Sequence, residues 1–225
     1  MILWGRRFTC PLCRHRYRRF ATLVIDPSFR NLLCPWCLSL ERHRLLWLYL
    51  LDKTGIFSQP IRLLHLTPEY PLYQAFRAAP NIRYVTAGLD AAFMQVEMDL
   101  VHTPLKDNLF EVIICSHVLE HIWEDVAAMR ELCRVLKPGG LGFLQSPLDA
   151  NRAVTFEDPT CLTPEDRART FGQSDHVRIY GRDYKDRLEE AGFTVRVDGY
   201  VRTLPPEIIT RYGLVATEDL YICTK

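Results

Sequence analysis

The sequence has no apolar run long enough to cross a membrane. Its longest uninterrupted run, Leu45 to Leu51, covers seven residues, whereas a membrane-spanning helix needs about 20. An apolar leader is missing as well, because the first residues, MILWGRR, turn basic after four positions. These absences argue against the membrane-protein class and predict a soluble, globular protein of the cytoplasm that binds no membrane.

Glycine is absent between Gly55 and Gly88. Glycine is the residue that lets a ligand approach the backbone closely in a loop. A glycine-rich binding loop is therefore excluded from this stretch of the chain.

Net charge is nearly absent too, at +1, but it is unevenly distributed. Residues 1–50 hold nine arginines against Asp26 and Glu41, which gives them a charge of +7 and leaves −6 for the rest. Such a basic end favours either a nucleic-acid partner or the solvated face of a small zinc module. With 225 residues and 48% hydrophobic content, the chain can bury one substantial core and add a small appendage, but hardly two full domains.

Eight cysteines are present, and four of them form two C-x2-C pairs, Cys10 with Cys13 and Cys34 with Cys37, separated by twenty residues. Four thiolates at this spacing suit tetrahedral Zn²⁺, and in a cytoplasmic protein such pairs favour zinc over disulfides. Because four thiolates leave no open coordination position, we expect a structural zinc; the alternative is four unrelated buried cysteines. The other cysteines lack metal spacing and are expected to be reduced core residues, Cys115, Cys133, Cys161 and Cys223.

Residues 110–147 form the most informative stretch, FEVIICSHVLEHIWEDVAAMRELCRVLKPGGLGFLQSP. The apolar run from Val112 to Cys115 is typical of a strand buried on both faces of a parallel sheet. Apolar residues then recur every three or four positions from Val126 to Leu136, as in a helix that lies on a sheet, and Pro138 to Gly140 are expected to end it. With a second strand at Leu141 to Leu144, the pattern predicts a right-handed strand, helix and strand unit of a doubly wound α/β sheet.

Polar side chains follow the first of these strands, namely Ser116, His117, Glu120 and His121. In open α/β sheets, ligands bind beyond the carboxyl ends of the strands, so these residues predict a binding site. His117 and His121 are candidate general bases, because an unperturbed imidazole is partly neutral at cytoplasmic pH. The alternative is structural, with one ring holding the loop and the other capping the helix.

This block closely resembles the class I S-adenosylmethionine-dependent methyltransferases, in which a strand ending CSHVLEH is followed by a helix ending RVLKPGG. The resemblance implies a Rossmann-like, doubly wound, mostly parallel seven-stranded sheet, with the last strands, at 193–197 and 220–224, antiparallel at its edge. It also implies a small zinc-ribbon module with its connecting helix over residues 1–56. A methyltransferase domain would then cover 57–225, with a lid-like insertion over 149–179.

The turn after the expected first strand, Ile61 to Leu66, resembles the first motif of a bacterial group of zinc-ribbon methyltransferases, which reads LLH-x-x-PE. Glu69 then stands near the acidic position that meets the amino group of the cofactor. The lack of glycine departs from the general class. The same residues also suit a helix start, because Thr67 is a capable N-cap and Pro68 a favoured first residue of a helix from Tyr70 to Ala78.

The resemblance places further cofactor contacts after the second and third strands. The acidic position that binds the ribose is Gly88 in this chain, which leaves Asp90 as the nearby carboxylate. Asp99 matches the position that binds the adenine amino group, and the alternative is a solvated turn residue. The expected cofactor residues are His65, Thr67, Pro68, Glu69, Asp90, Met98, Asp99, Leu100, Ser116 and His117.

The insertion over 149–179 is longer than a connection requires. Thr163, Pro164 and Glu165 predict a short helix within it. A lid that recognises a polar or anionic acceptor would need the donors and acceptors found near its end, and the alternative is a polar surface loop. The expected acceptor-binding residues are Asp175, His176, Arg178 and Tyr180.

These observations lead to one hypothesis and two alternatives. We expect an S-adenosylmethionine-dependent methyltransferase that acts on an oxygen or nitrogen of a polar small molecule or glycan-type acceptor, with a structural zinc. The first alternative is an RNA methyltransferase that uses the basic zinc ribbon to bind RNA. The second is a non-catalytic methyltransferase-like protein, which the missing glycine loop and Gly88 suggest.

Overall fold

The computed structural model describes residues 4–22, 32–90 and 94–225. The strands are β1 (Trp4–Thr9), β2 (Arg16–Tyr17), β3 (Ile61–Leu66), β4 (Ile82–Gly88), β5 (Val96–Glu97), β6 (Phe110–Ser116), β7 (Leu136–Gln145), β8 (Phe156–Glu157), β9 (Arg178–Ile179), β10 (Thr194–Asp198) and β11 (Leu220–Thr224). The α-helices are α1 (Glu41–Lys53), α2 (Tyr70–Arg77), α3 (Asp125–Val135), α4 (Pro164–Phe171), α5 (Tyr184–Glu190) and α6 (Pro206–Tyr212). Within the described ranges, every helix is too short or too polar to span a bilayer.

Seven strands form one sheet in the order β10-β11-β7-β6-β3-β4-β5. Parallel pairing joins β3 to β6, β6 to β7 and β4 to β5, while β11 pairs antiparallel with β7. The strand order reverses between β3 and β6, so the topological switch point, where doubly wound sheets bind ligands, lies there. The predicted Rossmann-like, mostly parallel seven-stranded sheet is confirmed.

The join between α3 and β7 differs from the prediction. The helix ends at Val135 and β7 begins at Leu136, whereas Pro138 to Gly140 were expected to end the helix. Phe110 pairs with Leu136 but Val112 pairs with Leu141, so β7 carries extra residues in a bulge opposite β6. A side chain at position 140 would lie 3.0 Å from a backbone oxygen of β6. The glycines therefore serve the bulge of the strand rather than the end of the helix.

The chain divides into two compact units. The first, here called the N-terminal unit, comprises Met1–Ile61, Pro68–Arg83 and Asp198–Leu220. The second, here called the sheet unit, comprises Arg62–Thr67, Tyr84–Val197 and Tyr221–Lys225. The N-terminal unit therefore includes α2 and α6, which the predicted division after residue 56 assigned to the methyltransferase domain.

Aromatic packing and one buried arginine stabilise the N-terminal unit. The indole of Trp47 on α1 packs against the rings of Phe57 and Phe76, at centroid distances of 5.0 Å and 6.1 Å. Arg44, also on α1, is fully buried, and its guanidinium carbon lies 4.2 Å from the ring centroid of Phe20. Its guanidinium donates hydrogen bonds to four backbone oxygens, those of Leu32, Ser39, Tyr212 and Gly213. These hydrogen bonds satisfy the buried guanidinium, so Arg44 joins α1 to the end of α6 and the residue after it.

The insertion in the sheet unit is ordered by local hydrogen bonds. β8 pairs antiparallel with β9. Between them, α4 begins where the Thr163 hydroxyl accepts a hydrogen bond from the Asp166 backbone N–H at 3.1 Å. It ends at Gly172, whose φ of +85° suits glycine in the left-handed region. The short helix predicted from Thr163, Pro164 and Glu165 is confirmed.

Candidate functional site

A crevice of about 490 Å³ lies at the carboxyl ends of β3, β4 and β6 in the sheet unit. Its size suits a small-molecule ligand. The lining residues are Leu66, Thr67, Gly88, Leu89, Asp90, Met94, Met98, Asp99, Leu100, His117, Val118, His121, Ile122 and Asp175. The crevice therefore collects eight residues that the sequence predicted for the site, namely Thr67, Asp90, Met98, Asp99, Leu100, His117, His121 and Asp175.

Sequence reasoning did not predict six of the lining residues, five apolar residues and one glycine. The missed residues are Leu66, Gly88, Leu89, Met94, Val118 and Ile122. In a sequence, an apolar residue next to a strand cannot be distinguished from a core residue. The sequence therefore does not show that such a residue lines a ligand cavity. Leu89, one of these residues, is 78% exposed in the structure.

Two residues of the crevice adopt left-handed backbone conformations. Thr67 follows β3 with φ of +44°, and His117 follows β6 with φ of +54°. Each backbone N–H still pairs with the neighbouring strand, that of Thr67 with the Ala87 oxygen and that of His117 with the Gln145 oxygen, both at 2.9 Å. Left-handed conformations cost a non-glycine residue about 1–3 kcal/mol and concentrate at functional sites. The turn after β3 is thus made by a strained threonine.

Asp90 and Asp99, two of the carboxylates expected to hold the cofactor, are exposed in the crevice lining. Asp99 uses Oδ1 to accept the backbone N–H of Val101 at 2.9 Å, which shapes the turn after β5. Asp90 is exposed as well. At position 88 an added Cβ would lie 3.3 Å from Thr67 Oγ1 and 3.4 Å from Met94 Cγ. Glycine at that position therefore allows the close approach of these two side chains, which a larger residue would displace.

Four residues predicted to bind the cofactor lie outside the crevice lining. His65 is buried, and its Nδ1 lies 3.0 Å from the Tyr84 hydroxyl oxygen. Ser116 is buried at the end of β6. Pro68 and Glu69 belong to the N-terminal unit, where a Glu69 carboxylate oxygen lies 3.3 Å from His43 Nε2. Glu69 therefore has a partner within its own unit, and its contact with a cofactor stays a prediction.

Beside the crevice, Glu120 is held between a serine and two histidines. Its side chain is 1% exposed, Oε2 accepts a hydrogen bond from the Ser146 hydroxyl at 2.8 Å, and Oε1 lies 3.4 Å from His117 Nδ1. Burial alone would raise the pKa of Glu120, but the interactions with His117 and Ser146 outweigh it and hold that pKa below its ordinary value. Glu120 is therefore an anion at neutral pH.

His121 and His176 complete this group. Their rings meet edge to face with centroids 4.8 Å apart. His121 Nε2 lies 4.0 Å from Glu120 Oε1, and its Nδ1 lies 3.2 Å from the backbone oxygen of Asp175. Burial lowers the pKa of His176. We call Glu120, His121 and His176 the histidine–glutamate cluster.

Arg178 and Tyr180, predicted to bind the acceptor, are occupied by the protein itself. Arg178 is 1% exposed, and its guanidinium donates to Glu157 and to the backbone oxygens of Leu119, Ile122 and Trp123. The Tyr180 hydroxyl donates to an Asp125 carboxylate oxygen at 2.7 Å, and the ring is 1% exposed. Neither side chain offers a free polar group to an acceptor, so the predicted role does not fit. Arg178 instead supports the loop that carries the histidine–glutamate cluster.

The four cysteines of the two C-x2-C pairs come together in the N-terminal unit. Their Sγ atoms all lie within 4.8 Å of one another, with Cys10 to Cys37 at 3.5 Å and Cys13 to Cys34 at 3.6 Å. Four sulfurs bonded to one Zn²⁺ at about 2.3 Å would lie roughly 3.8 Å apart, so the arrangement fits a tetrahedral ion. The Ser39 hydroxyl, 3.2 Å from Cys10 Sγ, can donate to a metal-bound thiolate. We call these four residues the cysteine cluster.

The two cysteine pairs share one backbone conformation, a repeat not noticed in the sequence. In the first, the N–H of Arg14 donates to the Cys10 oxygen and the N–H of Cys10 donates to the His15 oxygen. In the second, the N–H of Leu38 donates to the Cys34 oxygen and the N–H of Cys34 donates to the Ser39 oxygen. Arg14 and Leu38 have φ of +63° and +62°. Two matching turns thus present their sulfurs to one point.

Comparison with known sequences identifies part of the chain. Residues 72–144 match the family model described as a methyltransferase domain. A probable S-adenosylmethionine-dependent methyltransferase of Mycolicibacterium smegmatis is 32% identical over 97 residues, which are 43% of this chain. The match spans only 34% of the length of that relative.

Comparison with solved structures extends the similarity of fold. A chain in the complex between the Haloferax volcanii Trm112 methyltransferase activator and a methyltransferase aligns with a TM-score of 0.55 and 15% identity, over 81% of this chain and 90% of that one. PigF with SAH aligns with a TM-score of 0.52 and 18% identity, over 79% of this chain and 59% of that one. At these identities the alignments show a shared fold.

Proposed function

We propose that this chain, which carries a methyltransferase domain of the class I S-adenosylmethionine-dependent family, moves a methyl group from S-adenosylmethionine to an acceptor. The acceptor is an oxygen or nitrogen of a polar small molecule or glycan-type molecule. One observation carries the proposal: the crevice at the topological switch point is lined by Asp90, Met98, Asp99, Leu100 and His117, in a chain whose residues 72–144 match the family.

The crevice fits this cofactor in its chemistry as well as its size. Asp99 would accept the adenine amino group, with Met98 and Leu100 providing apolar contacts, and Asp90 would accept the ribose hydroxyls. The cofactor, when bound, would supply an electrophilic methyl group on sulfur. Methyl transfer needs mainly the alignment of nucleophile, methyl and sulfur, which a crevice of fixed shape provides.

The proton of the acceptor would pass to an imidazole at the edge of the crevice. His117 and His121 both line it, with side chains 32% and 30% exposed. Asp175, which also lines it, would contact the acceptor. His117 and His121 are therefore both candidate bases for this step.

Calorimetry with S-adenosylhomocysteine tests the proposal. This compound is the cofactor without its transferable methyl group, so its binding can be measured in the absence of the acceptor. We expect one binding site per chain, weakened by Asp99→Ala. Absence of binding by the zinc-loaded protein would favour a non-catalytic methyltransferase-like protein, the alternative that the lack of glycine after β3 suggests.

The N-terminal unit supports a structural Zn²⁺ on the cysteine cluster, since four thiolates from the chain fill a tetrahedral shell. The ion would supply no open position for chemistry. It would instead hold the two matching turns together in a segment that has little apolar core of its own, and so contribute to folding.

RNA is the second candidate acceptor, and a surface of the N-terminal unit favours it. The rings of His15 and Trp36 stack with centroids 4.5 Å apart, and Trp4 and Trp36 are 53% and 62% exposed. Exposed aromatic rings among exposed arginines resemble the surfaces that bind single-stranded nucleic acid. Titration with bulk RNA at two salt concentrations tests this, since RNA binding should weaken steeply with salt.

A further inference from the structure

The histidine–glutamate cluster has the composition and the geometry of a metal site. One ligand atom from each of Glu120, His121 and His176 lies within 4.8 Å of the others. Glu120 Oε1 is buried and makes no hydrogen bond with any residue that the structure describes, and the imidazole nitrogen His117 Nδ1 lies 3.4 Å from it. A cation bound at that oxygen would compensate its buried charge.

The cluster is also held in the manner of metal ligands. A histidine that binds a metal usually donates its other N–H to a carbonyl or carboxylate, and a ligating carboxylate is itself hydrogen-bonded. His121 Nδ1 lies 3.2 Å from the backbone oxygen of Asp175, and Glu120 Oε2 accepts the Ser146 hydroxyl at 2.8 Å. The other nitrogen, His121 Nε2, lies 4.0 Å from Glu120 Oε1.

The remaining distance is close to what an ion requires. Metal bonds of about 2.1 Å to nitrogen and oxygen would bring two adjacent ligand atoms to roughly 3–3.5 Å. Side-chain shifts of about half an ångström to one ångström would therefore close the site around an ion. The loop itself is fixed by Arg178, which binds the backbone oxygens of Leu119, Ile122 and Trp123 on both sides of the ligands.

We propose that Glu120, His121 and His176 bind a divalent first-row metal ion beside the crevice, and that this ion binds an oxygen of the acceptor. Two imidazoles and one carboxylate are a ligand set for Mn²⁺, Fe²⁺ or Zn²⁺ with open positions. His121 also lines the crevice, so the site lies beside the ligand cavity. The role of the acceptor rests on the proposed methyl transfer, whereas the metal site does not.

The ion would act on the acceptor as a Lewis acid. A bound hydroxyl is more acidic, and its proton would leave to the imidazole of His117, which lies beside Glu120. The oxygen would form the new bond to the methyl carbon as the carbon–sulfur bond breaks, and that electron pair would stay on sulfur. His121 would then be a metal ligand, which leaves His117 as the base.

The test is metal binding by the zinc-loaded protein, followed with Mn²⁺ by electron paramagnetic resonance and with Zn²⁺ by calorimetry. We expect one additional ion per chain from at least one of the two metals, with bound Mn²⁺ enhancing water-proton relaxation because its open positions hold water. His121→Gln and His176→Gln should weaken binding at least tenfold. His102→Gln, which changes an exposed histidine of the same unit, should leave it intact.

Two outcomes would overturn the site: neither metal binds at about millimolar concentration, or the His121 and His176 variants bind as tightly as the unchanged protein. Circular dichroism of each variant separates loss of binding from loss of folding, and His121→Gln is the more tolerant change since that side chain is 30% exposed. Calorimetry with S-adenosylhomocysteine separates the two proposals. If the protein binds metal but not S-adenosylhomocysteine, only the proposed methyl transfer is contradicted. If it binds S-adenosylhomocysteine but not metal, only the metal site is contradicted.

Discussion

The cysteine cluster and the histidine–glutamate cluster differ in how completely the chain surrounds an ion. Four sulfurs within 4.8 Å of one another can fill a tetrahedral shell, whereas Glu120, His121 and His176 supply only three ligands beside an open crevice. When the chain fills the coordination shell, the free energy of metal binding stabilises the fold. When the chain fills only part of it, coordination positions stay open for a substrate. The comparison suggests that the N-terminal unit uses metal chemistry for stability and the sheet unit uses it for reactivity.

If the cysteine cluster serves folding, Cys34→Ser should have the largest effect. Structural zinc contributes about 10–16 kcal/mol of apparent binding free energy in small modules, so we expect the zinc content to fall from near one per chain to near zero and the melting temperature to drop. Elemental analysis and thermal denaturation measure both. Cys161→Ser, at a buried cysteine outside the cluster, is the matched control and should keep the zinc. An unchanged zinc content in Cys34→Ser would remove the filled shell from the comparison.

If the histidine–glutamate cluster is a preformed site, the hydrogen bonds that hold its loop should stabilise the fold. Arg178→Met tests this contribution. The change removes the donor to three backbone oxygens and leaves Glu157 without this partner, and we expect a loss of about 3–5 kcal/mol in the free energy of unfolding. Urea denaturation measures it. Arg130→Met, at a side chain 57% exposed, should cost less than about 1 kcal/mol. Unchanged stability with reduced turnover would instead return Arg178 to the acceptor role that the sequence suggested.

The sequence predicted those features that are set by local pattern. Apolar runs predicted β3 and β6, the spacing of the cysteines predicted that four sulfurs lie together, and Thr163 predicted the start of α4. It did not predict the role of Arg178, because the backbone oxygens that bind it lie more than fifty residues away in the chain and a buried arginine looks like an exposed one in sequence. Backbone strain at Thr67 was missed for a similar reason, since neighbouring strands impose it.

Asp99→Ala should affect the crevice alone. Loss of a charge-assisted hydrogen bond costs about 1.5–3 kcal/mol, so we expect the dissociation constant for S-adenosylhomocysteine to rise roughly tenfold or more while zinc content stays constant. Asp99→Asn keeps an acceptor for the Val101 N–H and separates the shape of the turn from the charge. Asp186→Ala, at an exposed aspartate on α5, is the control in calorimetry. Equal affinity in all four proteins would place the adenine elsewhere.

The smallest expected effect concerns backbone strain, which both units share. Thr67 lies beside the crevice with φ of +44°, and Leu38 lies beside the cysteine cluster with φ of +62°. Glycine at either position removes a strain of about 1–2 kcal/mol and adds unfolded-chain entropy worth about 0.5–1 kcal/mol. Thr67→Gly and Leu38→Gly should each be neutral or more stable by up to about 1 kcal/mol in urea denaturation, while Thr67→Ala keeps the strain. Clear destabilisation by Thr67→Gly would mean that its side chain contributes more than its backbone costs.

The hydrogen bonds of Arg44 also determine when the N-terminal unit can be completed during translation. Two of its acceptors, Tyr212 and Gly213, are 168 and 169 residues further along the chain. At about 5–20 residues per second, translation needs roughly 10–30 s to reach them after Arg44 is made. During that interval a nascent chain already displays all four cysteines of the cluster but holds a guanidinium with half of its final partners. The N-terminal unit, whose first residues are made first, is therefore completed only near the end of translation.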